Sequence, residues 1–190
     1  GYFRNELRDF EKARKPYLFA DETRGSLILS ELKHMAKDKP IVGLSWFSEA
    51  QIVGEARSID LVELVKEIPD DLFLVSLQYG ATTHDLKRVR KELGRDIYKL
   101  PSLDHFNDLD GLAALISICN RVVSVDNVTV HLAGALGKRC DILLPYFADW
   151  RWGDETSDTS VWYASHSLHR QKERGRWLDC LQSLRYSLGT

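Results

Sequence analysis

Cysteine is scarce in this chain: Cys119, Cys140 and Cys180 are its three, scattered through 190 residues and set in apolar runs. An odd, widely spaced set builds neither a disulfide framework nor a zinc site, so they read as reduced core residues of a cytoplasmic protein, and no metal site is expected. An excess of one charge is lacking as well. Lys and Arg total 26 against 28 Asp and Glu, a net charge of −2 with a pI near 6.3, which provides no overall field for nucleic acid or an anionic membrane. No run approaches the roughly 18 apolar residues of a membrane span, and the charged start "GYFRNELRDFEKARK" is unlike a signal sequence. The first residue is Gly rather than Met, which leads us to expect a fragment of a longer protein.

Several familiar motifs are missing too. No G-x-G-x-x-G follows the first apolar run, "GALGKRC" has neither the spacing nor the placement of a P-loop, and no G-x-S-x-G elbow occurs. "DLD" (Asp108 to Asp110) precedes a helical pattern and reads as a helix cap rather than a metal grip. His166 and His169 of "HSLH" have no third ligand nearby, nor has Cys140. The stretch "HSLHRQKERGRW" is locally basic and reads as a solvated surface turn, with a phosphate-facing loop as the other possibility.

What is present is an alternation. Short apolar runs occur at "IVGLSW" (Ile41 to Trp46), "LFLVSLQ" (Leu72 to Gln78), a weaker "DIYKL" (Asp96 to Leu100), "RVVSV" (Arg121 to Val125) and "CDILLPY" (Cys140 to Tyr146). Such runs suit strands buried on both faces. Helical stripes lie between them. Ser58 caps one carrying Leu61, Val62, Leu64, Val65 and Ile68, and Asp110 caps one carrying Leu112, Leu115, Ile116 and Cys119. Asp126 or Asn127 caps a third that ends at Gly137, and Trp177, Leu181, Leu184 and Leu188 mark a fourth. The fold expected is α/β: a Rossmann-like parallel sheet with helices on both faces. Residues 1–38 read as a connecting segment ending in a helix, and residues 39–190 as the Rossmann-like domain.

In such a sheet, ligands sit beyond the carboxyl ends of the strands. There "SVDNVTVHLAGALG" (Ser124 to Gly137) places an acid and an amide at the start of a helix of small residues. A helix beginning near Asn127 offers unpaired N–H groups and the positive end of its dipole to a phosphate, and Asp126 could accept from sugar hydroxyls. The plainer reading, in which Asp126 or Asn127 only caps the helix, is compatible with this. His131 lies one turn on, as a ligand contact or a packing residue. Ala133, Gly134 and Ala135 would let the helix approach the sheet, and Trp150 and Trp152 would stack on a base or pack under the last helix.

With these residues in view, the chain resembles the donor-binding C-terminal half of two-domain (GT-B) glycosyltransferases of the heptosyltransferase-like family 9 type, often fused behind tetratricopeptide repeats. The likeness is carried by "IVGLSW" followed by "RSIDL", then "LVSLQYG", "SVDNVTVHLAGALGK" and "LLPYFADWRWG…WY…RQ", across about residues 40–171. The resemblance implies one half of a GT-B fold in an inverting, metal-independent transferase. Its substrate would be a nucleoside-diphosphate sugar, with no cofactor. Position by position it implies Ser45 near the donor phosphates and Arg57 as the basic group contacting them. Gln78 would lie at the edge of the nucleotide pocket. Asp126 and the amides of Asn127, Val128 and Thr129 would hold sugar and diphosphate, with His131 beside them. The catalytic base and acceptor site would come from an N-terminal half, so this chain alone would bind donor without turning it over.

Where the family usually has a small hydroxyl residue and then Gly or Ala after the acid, this chain has Asn127 and Val128. That difference keeps a second reading open: a catalytically silent nucleotide-binding or protein-interaction module of a tetratricopeptide-repeat protein. A third is a sugar-nucleotide epimerase of the same architecture, for which Glu49, Glu55 and Asp126 are the acids near strand ends.

Overall fold

The apolar runs form the strands of one sheet in a computed structural model that describes residues 8–11 and 15–189. Residues 1–7 and 12–14 of the expected connecting segment lie outside the described residues. The strands are β1 (Ile41–Ser45), β2 (Phe73–Ser76), β3 (Ile97–Tyr98), β4 (Arg121–Val125), β5 (Cys140–Leu144) and β6 (His166–Arg170). Their order is β3-β2-β1-β4-β5-β6 and every pairing is parallel, which makes the fold Rossmann-like. The order reverses between β1 and β4, whose ends meet at the pair Ser45 and Ser124. A crevice beyond the carboxyl ends is expected at this reversal.

The helices are α1 (Arg8–Glu11), α2 (Glu22–Ala36), α3 (Gly54–Arg57), α4 (Leu61–Lys66), α5 (Thr83–Leu93), α6 (Leu109–Ile118), α7 (Val128–Ala135) and α8 (Leu178–Leu188). They cover both faces of the sheet. On one, Ile28 and Leu32 of α2 pack with Leu112, Leu115 and Ile116 of α6 and with Val130 and Ala133 of α7. On the other, Leu61, Leu64 and Val65 of α4 share a cluster with Val89 of α5 and with Cys180, Leu181 and Leu184 of α8. Strands sandwiched this way must be apolar on both sides, and β1, β4 and β5 are buried at every position. The three cysteines are buried and unbridged.

Several local expectations are corrected. Asp60 caps α4, accepting from the Val62 and Glu63 amides. Ser58 instead closes the loop before it, accepting from Ser48 N at 3.1 Å and donating to Gly54 O at 2.7 Å. Asp108, not Asp110, caps α6, and its carboxylate also binds Arg24 of α2. The sequence gives little sign of α5, "THDLKRVRKEL", because Val89 is its only fully buried residue.

The basic stretch is neither a solvated turn nor a free loop over its first half. His166 to Arg170 form edge strand β6, with His166 Nε2 2.8 Å from Val130 O and both histidines buried. Buried polar partners replaced the apolar neighbours that a periodicity search looks for. Gly134 does not serve the approach of α7 to the sheet. A Cβ there would overlap the Tyr163 ring, so its lack of a side chain makes room for that tyrosine.

Candidate functional site

At the carboxyl ends of β1, β2 and β4 three polar residues, Ser45, Gln78 and Asn127, turn toward one another. Asn127 caps α7 with Oδ1, which accepts from Thr129 N at 2.9 Å. Its Nδ2 donates to Ser45 Oγ at 2.8 Å and to Phe47 O at 3.0 Å. Ser45 Oγ in turn donates to Gln78 Oε1 at 2.9 Å, and that oxygen also accepts from the Trp46 and Phe47 amides at 2.7 and 3.0 Å. The Gln78 Nε2 group donates to Phe47 O. Ser45, Gln78 and Asn127 are all buried. Together they fix the turn after β1 and the start of α7, and a buried network of this kind holds only because nearly every member is satisfied.

Asp126 stands apart from this network. It is buried, and its Oδ2 has no aligned hydrogen-bond partner, although Arg57 Nη1 lies 3.3 Å away. Burial pushes the carboxyl upward from its usual range, against the pull of Arg57, the Trp152 indole and His131. Arg57 ends α3 and reaches the site because Gly54 lets that short helix close on the preceding turn: a Cβ at Gly54 would overlap Ser48 O. Its guanidinium also lies 4.0 Å from Asp149. One partly exposed cation therefore faces two carboxylates beside the capped N-terminus of α7.

His131 completes this side. Its ring stacks on Trp152, with centroids 5.4 Å apart and planes within 17°, and its Nδ1 is 3.2 Å from the Tyr163 hydroxyl. Burial draws its pKa downward, so the imidazole is neutral at physiological pH. Trp152 is thus buried against His131 rather than under α8. Trp150 is exposed, with Arg151 4.8 Å over its ring. Val128, the first residue of α7, is 48% exposed and lies over the helix terminus. Thr129 is buried, with its hydroxyl unpaired.

Two cavities flank this terminus. One of about 390 Å³ is walled by Tyr79, His105, Phe106, Leu109 and Val128, with Glu49 at its side. The other, about 190 Å³, is lined by Tyr17, His131, Arg151, Trp152, Trp162 and Tyr163. Of the residues singled out from sequence, Arg57, Asp126 and His131 converge with Val128, whereas Ser45 and Gln78 lie beneath the surface as supports. Sequence reasoning did not single out Asp149, Tyr163 or Phe106. The "DWRW" and "WY" clusters were the available signal for the first two, and Phe106 gave none.

No protein-family profile matches the chain. Protein FlbA of Caulobacter vibrioides is 31% identical over 183 residues, an alignment that spans 93% of this chain and 30% of FlbA. Solved structures with the same fold include E. coli ADP-heptose LPS heptosyltransferase II, with a TM-score of 0.62 at 18% identity, covering 92% of this chain and 55% of that one. The E. coli heptosyltransferase WaaC, bound to ADP-2-deoxy-2-fluoro heptose, gives 0.54 at 17% identity, covering 93% and 51%. A family 9 glycosyl transferase of Veillonella parvula gives 0.57 at 10% identity, covering 88% and 46%. The chain spans about half the length of these structures. Its Rossmann-like sheet is that of a heptosyltransferase-like GT-B glycosyltransferase fold.

Proposed function

We propose that this chain is the nucleotide-sugar-binding half of an inverting, metal-independent glycosyltransferase. The observation that carries the reading is Arg57 3.3 Å from the buried Asp126 at the start of α7, a helix whose Val128 and His131 each line a cavity. The larger cavity, with Tyr79 and Phe106, suits a base and ribose. The terminus and Arg57 suit a diphosphate, and the smaller aromatic cavity beside Asp126 suits the sugar. Negative charge grows on the departing diphosphate as the glycosidic bond breaks, and a guanidinium with oriented amides offsets it without a metal. Nucleotide release therefore does not require a bound cation in this scheme. The catalytic base and acceptor site would belong to an N-terminal half, in a cytoplasmic protein with tetratricopeptide repeats.

Titration calorimetry with UDP, GDP, ADP and CMP tests the reading. Selective binding of one nucleotide, weakened about tenfold or more by Arg57→Ala and by Asp126→Ala, supports it. Equal affinity in wild type and both variants refutes it. Val128 favours a second reading, that of a catalytically silent module, because it puts a branched, half-exposed side chain at the first position of α7. Binding that appears only in Val128→Gly would select that alternative.

A further inference from the structure

Away from the α7 terminus, a cleft of about 470 Å³ runs along edge strand β6. Tyr146, Arg170, Gln171, Lys172, Asp179 and Ser183 are among its walls. Ser183 is exposed on α8, and its Oγ lies 2.8 Å from Nδ1 of the buried His169. On the far side of that ring, Nε2 lies 2.8 Å from Oδ1 of Asp141, which is fully buried on β5. A carboxylate accepts only, so Nε2 carries the proton and Nδ1 is left to accept from the serine hydroxyl. Asp141 stays ionised: the His169 and Arg121 hydrogen bonds outweigh its burial and hold its pKa at about 2. Hydroxyl, imidazole and carboxylate thus form a relay that opens at one end into a cleft.

We infer that Ser183 is a base-activated nucleophile, with His169 as its general base and Asp141 as the positioning residue, acting on carboxylic esters small enough for this polar-walled cleft. This site is independent of the donor-binding reading. The Ser183 Oγ would attack the acyl carbon while its proton passes to His169 Nδ1. The acyl C–O bond then breaks, and the departing alkoxide takes that proton. Water repeats the sequence, releasing the acid and restoring Ser183. The Lys172 ammonium on the cleft wall is the donor available to the oxyanion, and Gln171 Nε2 beside it is buried without a partner. The Gln171 Oε1 is held by the Tyr146 and Gly175 amides at 3.2 and 3.0 Å, which fixes the orientation of the carboxamide. Two features set a modest rate. The imidazole nitrogens are used in the reverse of the order found in serine proteases, and Arg121 shares the Asp141 carboxylate.

The test is covalent labelling of the 190-residue chain with a fluorophosphonate probe, in which an Oγ–P bond forms as P–F breaks, located by peptide mass spectrometry. The expected result is an adduct on Ser183 that Ser183→Ala abolishes, Ser26→Ala on the exposed face of α2 leaves in place, and His169→Gln slows by about a hundredfold. Asp141→Asn should slow labelling per folded molecule, a change that stapling of α8 to the sheet alone would not produce. The inference is overturned if labelling does not exceed that of heat-denatured protein, if the adduct persists in Ser183→Ala, or if folded His169→Gln labels at the wild-type rate. Should His169→Gln fail to fold, the exposed Ser183→Ala variant still decides the matter.

Discussion

Asp141→Asn should be among the most damaging single changes in this protein, and its damage should depend on pH in a defined way. Asp141 lies at the centre of a buried cluster that joins β4, β5, β6 and α8. Arg121 Nη2 donates to its Oδ1 at 2.8 Å, Arg121 Nε donates to its Oδ2, and His169 and the Ser187 hydroxyl also meet Oδ1, Ser187 at 3.0 Å. Its carboxyl is lowered from 3.8 to about 2, a gap worth roughly 2.5 kcal/mol. A lowered carboxylate pKa contributes stability that is fully present above the unfolded value and is lost as pH falls through the folded one. About 1 kcal/mol of it should be gone by pH 3. The amide also leaves the Arg121 charge buried with weaker partners, so the total cost at pH 7 should be about 3–5 kcal/mol. At a urea slope of about 2 kcal/mol per molar, the midpoint drops by roughly 2 M. Urea titrations followed by circular dichroism between pH 7 and 3 measure this directly, and the other carboxylates cancel in the difference between wild type and variant. A midpoint shift below about 0.5 M at neutral pH, or a gap that does not narrow toward pH 3, would refute the reasoning.

Two further substitutions probe the other buried device and the aromatic wall. Asn127→Ala removes the α7 cap and the donor to Ser45 and Phe47. Phe47 O keeps Gln78 and Ser45 keeps its own acceptor, so the cost should be about 1–3 kcal/mol, a melting temperature lower by roughly 4–8 °C in calorimetry. Asn127→Ser retains a capping oxygen and should recover part of that loss. Gly134→Ala should lower stability by about 1–3 kcal/mol, because its Cβ overlaps the Tyr163 ring. In a Tyr163→Ala background the same change should become stabilising through helix propensity, and failure of the sign to reverse would show that Tyr163 is not the obstacle.

The sheet was legible because its strands are buried on both faces, and continuous apolar runs such as "RVVSV" and "CDILL" have few other uses. The elements that escaped are those whose burial is polar or slight. In β6 the inward residues include His166 and His169, satisfied by Val130 O and Asp141, so a strand looked like a charged turn. In α5 one fully buried valine with the half-buried Leu86 and Leu93 packs eleven residues onto the cluster that includes α4, too thin a stripe to see. Cap assignments slipped by two residues where two candidate side chains lay close together. Asp108 and Asp110 are equivalent in type, and only the tertiary ion pair with Arg24 distinguishes the one that caps.

The strand-end placement of the candidate residues was legible and their partners less so, for a physical reason. A residue that follows a strand at the sheet's reversal point can turn up toward a ligand or down into the protein, and its identity suits both, since Ser, Asn and Gln satisfy backbone groups as readily as phosphates. Ser45, Gln78 and Asn127 turn toward one another, which leaves the buried Asp126 and the partly exposed Arg57 as the charged pair of the crevice. That division of labour has a consequence for how the terminus works. The network consumes the polar capacity of the residues that shape it, so α7 is held rigidly without offering those side chains to a ligand. On the donor-binding reading, affinity would then come from backbone amides and from Arg57, against the cost of drawing Arg57 from Asp149, which it faces at 4.0 Å. An anion that draws the guanidinium away leaves Asp149 its bonds from the Arg151 amide and guanidinium at 3.1 and 2.8 Å, so the turn carrying Trp152 keeps its hold.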